Sequence, residues 1–457
     1  MLSAALVALS AAAARSGGDP SPPPAPDPSA GAQGAEADEG SALRDAELRR
    51  LLWAAVDAPA DGFDDALAEL RGFPGLTWQE AVSILAAGRD YAAVPRPAPV
   101  LEDAERHADV MRATPWVDGE VHVFDLGATP EAWYFLRLPA GYDGSQPVPV
   151  LFDLGGTASD ATVPDDFAVV RLSDLLFFSD HLGGHPLSLT AGAASQTAVL
   201  SIVADLERRF RVDRDRLFVS GFSRGGNAAL YFGVHWPELW AGVVTASGYY
   251  PVEDDTWPNL GHVAVLAVRG SDPGHKGAND FTGALARKLR AAGVDDVSEL
   301  RSDTRAIDVL PGALQEWLAA RRRDPLPKDV RFLQRDPRHR GAYWVEALEP
   351  KDAGGTRPVV IGRPGDTTAE TFPVWRKPAS VRVEVTGPNA LRVTGRNLAR
   401  VRLLLSPELF DLTQPITVRG ARPARVTPAP SVATLLRTFR RDRDARRLFP
   451  AEVELEL

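Results

Sequence analysis

Ser223 stands in Gly221-Phe222-Ser223-Arg224-Gly225, a G-x-S-x-G pattern. An apolar run at 217–220 precedes it, and Gly226, Asn227, Ala228 and Ala229 open a helix-compatible stretch after it. This context predicts a strand, a sharp turn and a helix, with Ser223 at the tip of the turn. Nucleophilic chemistry needs such a place. The flanking glycines remove side chains that would clash, and the strained turn lifts the hydroxyl clear of its neighbours. The helix N-terminus then favours negative charge developing there.

A nucleophile that attacks an acyl carbon also needs donors for the oxyanion. The backbone N–H of Arg224 is one candidate. Gly155-Gly156-Thr157, after the apolar run at 148–154, supplies the second, because a glycine pair lets backbone N–H groups approach a substrate oxygen. The acid that orients a base follows a later strand. The run at 263–269 ends in Gly270-Ser271-Asp272, which makes Asp272 the candidate. Asp280 is the runner-up, but its place fits a helix start.

These residues must be held by alternating strands and helices. Strands are expected at 121–125, 133–138, 148–154, 167–172, 217–220, 242–246, 263–269 and 297–301. The unbroken apolar run at 148–154 reads as a central strand covered on both faces. Helices are expected at 196–210, 281–292 and 312–322. Val199, Ile202, Val203, Leu206 and Phe210 mark one face of the first. The pattern is a doubly wound α/β domain over 114–325. Before it, 41–113 reads as a helical lead-in packed on that domain, with Leu48, Leu51, Leu52, Ala55 and Val56 at helical spacing. Ser41 caps its first helix, Thr77 to Glu80 forms a capping box, and a last helix is expected at 102–112. After it, 326–457 reads as short strands between Pro- and Gly-rich turns, a small sandwich-like β domain.

At Leu138-Pro139-Ala140-Gly141-Tyr142-Asp143, at 150–156, at 212–226 and at Gly270-Ser271-Asp272 the chain resembles the α/β-hydrolases. It is most similar to their polyhydroxybutyrate-depolymerase and feruloyl-esterase branch, which includes esterase-D-like and prolyl-oligopeptidase-like enzymes. The resemblance covers roughly residues 117–325. It implies hydrolysis of small or polymeric esters through an acyl-Ser223 intermediate, with no metal or organic cofactor. Two positions depart from the family. Leu154 stands where the oxyanion strand usually ends in histidine, a mild loss. The second departure concerns the base. In the order serine, acid, histidine, the base follows the last strand. There the chain reads Arg301-Ser302-Asp303-Thr304-Arg305-Ala306, so Thr304 or Arg305 occupies the histidine's slot. No histidine occurs between His275 and His339. Arginine is not a base near neutral pH. General-base assistance contributes orders of magnitude, so weak activity or a catalytically degenerate binding protein is expected unless another histidine substitutes.

His275 could substitute if the loop 273–279 folds over the turn. His339, in the basic run 335–340, would have to reach in from the β region. His181 and His185 flank Gly183-Gly184 and read as loop histidines rather than metal ligands; His107, His122, His235 and His262 read as structural.

Composition bounds the remaining possibilities. The chain has 457 residues, a net charge of −10 and no cysteine. This excludes disulfides and thiolate chemistry, and it argues against general nucleic-acid binding. Residues 1–15 read as a short signal peptide ending in small residues, and 16–40 as a disordered Pro/Gly-rich linker. Together they imply an exported protein, secreted or periplasmic, without a transmembrane segment. Docking of the β region to an envelope or polysaccharide surface is a further expectation.

Overall fold

Every residue at 148–153 is buried, as a strand covered on both faces requires. The computed structural model describes residues 28–91, 121–125, 133–154, 162–172, 193–248, 254–361, 370–420 and 422–457. The central sheet contains β1 (Val121–Asp125), β2 (Trp133–Arg137), β3 (Val148–Asp153), β4 (Ala168–Leu172), β5 (Val212–Phe222), β6 (Gly242–Ala246), β7 (Ala264–Arg269) and β8 (Val297–Arg301). Their order across the sheet is β1-β2-β4-β3-β5-β6-β7-β8. β1 pairs antiparallel with β2, and β2 antiparallel with β4. From β4 to β8 all neighbours are parallel. The alternation of side chains across the sheet feeds two cores. Val150, Phe152, Leu217 and Val219 enter one, while Leu151 and Phe218 enter the other.

The helices are α1 (Pro28–Asp57), α2 (Phe63–Arg71), α3 (Trp78–Ala87), α4 (Ala193–Arg209), α5 (Arg224–His235), α6 (Lys276–Ala291), α7 (Ala313–Ala319) and α8 (Val432–Asp442). α4, α5 and α6 send Ile202, Leu230 and Leu285 into the first core. α7 closes the second through Leu314, Trp317 and Leu318. The sheet is therefore covered on both faces, as the alternating pattern predicts.

Beyond the sheet the structure departs from the sequence reading in three ways. α1 begins at Pro28, inside the stretch expected to be an unstructured linker. Proline is well suited to a first helical turn, and the following Ala, Gln and Glu are helix formers. Next, among the described residues the N-terminal helices bury their apolar faces not on the central sheet but in a core of their own with α8. Leu48, Leu52, Val56, Leu70 and Leu85 share a core with Leu435, Leu436 and Phe439 of α8. Finally, α8 itself was not expected in the β region. Ser431 caps it by accepting from the Thr434 N–H.

The C-terminal strands form a four-stranded and a five-stranded sheet around one core that includes Val330, Trp344, Val383, Val401 and Phe449. A further pair, Thr356–Ile361 with Glu370–Trp375, stands apart. The expected signal peptide, the helix at 102–112, the Gly155-Gly156 loop and the segment with His181 and His185 lie outside the described residues. Among the described residues no helix is long and apolar enough to cross a membrane.

Candidate active site

β5 ends at Phe222 and α5 begins at Arg224, so Ser223 alone makes the turn. Its backbone lies at φ 54° and ψ −113°, a conformation that costs a non-glycine residue about 1–3 kcal/mol. The surroundings hold it there. The Ser223 N–H donates to the Ala246 carbonyl on neighbouring β6 at 2.8 Å, and its own carbonyl accepts from the Asn227 N–H at 3.1 Å. The glycines are required by space. A Cβ on Gly221 would lie 2.1 Å from the carbonyl carbon of Gly225, and one on Gly226 2.9 Å from Thr245 Oγ1. The strand and the helix cross too closely for any side chain. A strained serine between β5 and α5, in a sheet of this strand order, decides the fold.

The chain has the α/β-hydrolase fold.

Arg224, the residue after Ser223, opens α5. The first N–H groups of a helix have no intrahelical acceptor, so the N–H of Arg224 remains available at the elbow. Asp272 follows β7. Its Oδ2 lies 2.6 Å from Nδ1 of His275, and its Oδ1 accepts from Asn279 Nδ2 at 3.2 Å. Burial pulls the Asp272 carboxyl upward, but the hydrogen bonds from His275 and Asn279 outweigh it and hold the group below its ordinary value. The His275 ring packs on Phe222, the residue before Ser223, with centroids 4.9 Å apart. The segment after β7 thus folds back so that His275, paired with Asp272, touches the residue before Ser223. Among the described residues no side chain hydrogen-bonds the Ser223 hydroxyl.

The slot after β8 is filled rather than open. The Thr304 carbonyl accepts from the Ser271 N–H at 2.7 Å, and its hydroxyl lies 3.1 Å from that of Ser302. Arg305 caps a short turn, Ala306–Val309, through Asp308: its N–H donates to Oδ2 at 3.0 Å and its guanidinium to Oδ1 at 2.9 Å. Neither side chain offers a base. Asp280, the other acid considered, is an exposed partner of Lys276 within α6. His339 is ruled out by position. It contacts His235 at the opposite end of α5, roughly 18 Å along the helix from Ser223.

Sequence reasoning missed Asn279 and Ser247. Asn279 is buried and uses both ends of its amide. Oδ1 accepts from Ser247 Oγ at 2.6 Å and from the Gly270 N–H at 2.9 Å, which leaves Nδ2 for Asp272. Ser247, with φ 47°, follows β6 beside the elbow. Only a fold-level contact links these residues, and no local motif marks them.

No family model matches the chain. One curated relative is an iron(III) enterobactin esterase of Dickeya dadantii (strain 3937), 44% identical over 66 residues, which is 14% of this chain and 14% of that protein. Among solved structures, a thermostable esterase is 18% identical with a TM-score of 0.35, covering 45% of this chain and 64% of its own. The enterobactin esterase of Shigella flexneri is 19% identical with a TM-score of 0.33, covering 45% and 59%. A ferulic acid esterase of Anaeromyces mucronatus is 13% identical with a TM-score of 0.35, covering 45% and 91%. The chain therefore spans a small part of the curated relative's length and under two thirds of the first two solved chains. The fold assignment rests on the strand order and the elbow.

Proposed function

We propose that this chain hydrolyses carboxylic esters through an acyl-Ser223 intermediate, with His275 as the base in place of the missing histidine after β8. The observation that carries the reading is the 2.6 Å pairing of His275 Nδ1 with Asp272 beside the elbow. A carboxylate on Nδ1 fixes the proton there and leaves Nε2 with its lone pair, the state a general base needs. The Ser223 hydroxyl loses its proton to Nε2 as Oγ bonds to the ester carbonyl carbon. The oxyanion is met by the Arg224 N–H and by the Gly155-Gly156 loop. The imidazolium returns the proton to the leaving alkoxide, and water then cleaves the acyl-enzyme by the same route. No cofactor enters this scheme. The apolar residues 1–15 support export to the periplasm or beyond, and the β domain is the candidate for contact with an envelope or polysaccharide surface.

The capped turn at Thr304 and Arg305 favours a second reading, a degenerate hydrolase that keeps the cleft as a binding site. A fluorophosphonate probe and p-nitrophenyl acetate separate the two, with enterobactin and ferulate esters screened next. Labelling of Ser223 and turnover that falls to the Ser223→Ala level in His275→Ala support hydrolysis with His275 as base. Turnover that needs Ser223 but survives in His275→Ala leaves the esterase and removes this base. Absence of labelling and turnover in the folded wild type leaves the binding protein.

A further inference from the structure

The far end of α5 gathers two histidines and a carboxylate away from solvent. One ligand-type atom each from His235, Asp336 and His339 lies within 4.8 Å of the others, and all three residues are buried. They line a void of about 10 Å³ together with Gln334, close to the smallest space that holds one water or ion. Gln334 is 2% exposed, and its Oε1 has no hydrogen-bond partner among the described residues. Leaving a buried acceptor unpaired costs about 1–3 kcal/mol, so an occupant of the void that binds oxygen would relieve a definite penalty.

The His235 ring is set up as a ligand. His235 Nδ1 lies 2.9 Å from the Tyr231 carbonyl oxygen and so donates its proton there, leaving the Nε2 lone pair free. Support of one ring nitrogen by a backbone carbonyl is the usual outer partner of a metal-bound histidine. His339 Nε2 lies 3.1 Å from Tyr231 Oη and 3.8 Å from Asp336 Oδ2. Donors on a tetrahedral ion with bonds of about 2.0 Å stand roughly 3.3 Å apart, so the three side chains must draw in by about an ångström. Arg338 faces the site as the opposing charge. Its guanidinium Nε lies 3.0 Å from each Asp336 oxygen and takes the place of an outer-shell partner.

We propose that His235, Asp336 and His339, with Gln334 as fourth donor, form a structural site for a zinc-type divalent cation. Two imidazoles, one carboxylate and one amide oxygen suit the nitrogen and oxygen preference of zinc, and four protein donors leave no open position for substrate. The ion joins the C-terminal end of the elbow helix to the segment leading out of strand Asp329–Gln334 in the β domain. The site is independent of any chemistry at Ser223.

Untagged full-length protein, stripped with EDTA and titrated with Co²⁺, provides the test. The expected result is uptake of about one equivalent with the intense visible absorption of tetrahedral cobalt, bleached by Zn²⁺. His339→Gln removes a direct ligand and should weaken binding by more than the roughly 10–100-fold typical of outer-shell losses. The double variant His181→Ala/His185→Ala and the variant His275→Ala should keep the band. Zinc should also raise the Tm of wild type and leave that of His339→Gln unchanged. If His339→Gln does not fold, as judged by near-ultraviolet circular dichroism, His235→Gln takes its place. Folded wild type that takes up no cobalt overturns the proposal and assigns the void to a water. A band that survives in the ligand variants, or vanishes in the control variants, overturns it equally, because the ion then sits elsewhere.

Discussion

At the elbow a single methyl group is decisive. A Cβ on Gly221 would overlap the Gly225 backbone at 2.1 Å, and no rotamer change relieves a clash with backbone. Gly221→Ala should therefore cost about 3 kcal/mol or more in urea unfolding and abolish probe labelling of Ser223. Wild-type stability in that variant would show that the crossing of β5 and α5 is looser than described. Asn279 is a subtler case, since it acts through Asp272. Asn279→Ala withdraws one of the donors that keep the Asp272 carboxyl low, so that carboxyl should titrate at higher pH. On the proposed mechanism kcat should fall about tenfold, with KM little changed, and the acid limb of the rate profile should move upward. An unshifted limb would limit Asn279 to a packing role. The places of Ser223 at the turn and of Asp272 after β7 were legible because each sits in a short motif after a strand. His275 was legible only conditionally, because its use depends on how 273–279 folds back. Asn279 was invisible, because its partners come from β6, β7 and the loop between β7 and α6.

Among the elements, the strands of the hydrolase sheet could be read from the sequence nearly one by one, since buried parallel strands are short apolar runs with clear ends. α8 was harder. Its apolar residues Leu435, Leu436 and Phe439 and its Ser431 cap follow helical rules, but they lie within an arginine-rich stretch between prolines. What completes α8 is distant in sequence. Its apolar face meets α1 and α3, and Arg440 donates to the carbonyls of Ala55 at 3.0 Å and Ala58 at 2.7 Å, at the C-terminal end of α1. Arginine there also suits the negative end of the α1 dipole. Both segments contribute leucines to this one core, so the N-terminal helices and α8 should loosen together. Leu435→Ala, which empties a fully buried position, should cost about 2–5 kcal/mol. Limited proteolysis should then cut within 41–87 before it cuts the hydrolase sheet. Cleavage of the sheet first would mean that the helices draw their stability elsewhere.

For the whole molecule, the junction of the hydrolase sheet with the C-terminal region depends on charges that neither part could bury alone. Arg323 and Asp444 are both fully buried and meet at 2.8 Å. Arg323 also reaches Asp215 at 3.1 Å, while Arg214 lies 3.7 Å from Asp444 and 3.2 Å from Glu207. Asp215 and Arg214 belong to β5, the strand that ends at the elbow, and Asp444 follows α8. Sequence alone could not foresee this, because a lone Arg or Asp normally reads as solvated surface. Burial raises the Asp444 carboxyl, but Arg323 foremost, with Arg214 and Arg447, drives it far below its ordinary 3.8. A carboxylate depressed in the folded state stabilises the fold above its unfolded pKa. That contribution fades as the pH falls from about 4 toward the lower folded value. Asp444→Asn leaves two arginines without their shared anion, so it should lose about 3–5 kcal/mol at pH 7. Because the variant has no carboxyl to protonate, its stability should also decline less steeply than that of wild type below pH about 4. Denaturant unfolding of both proteins from pH 7 down to pH about 3 measures the two effects together. A variant that is destabilised but keeps the wild-type acid slope would assign acid sensitivity to other carboxylates. A variant as stable as wild type would mean that the two halves of the molecule are held by their apolar contacts alone.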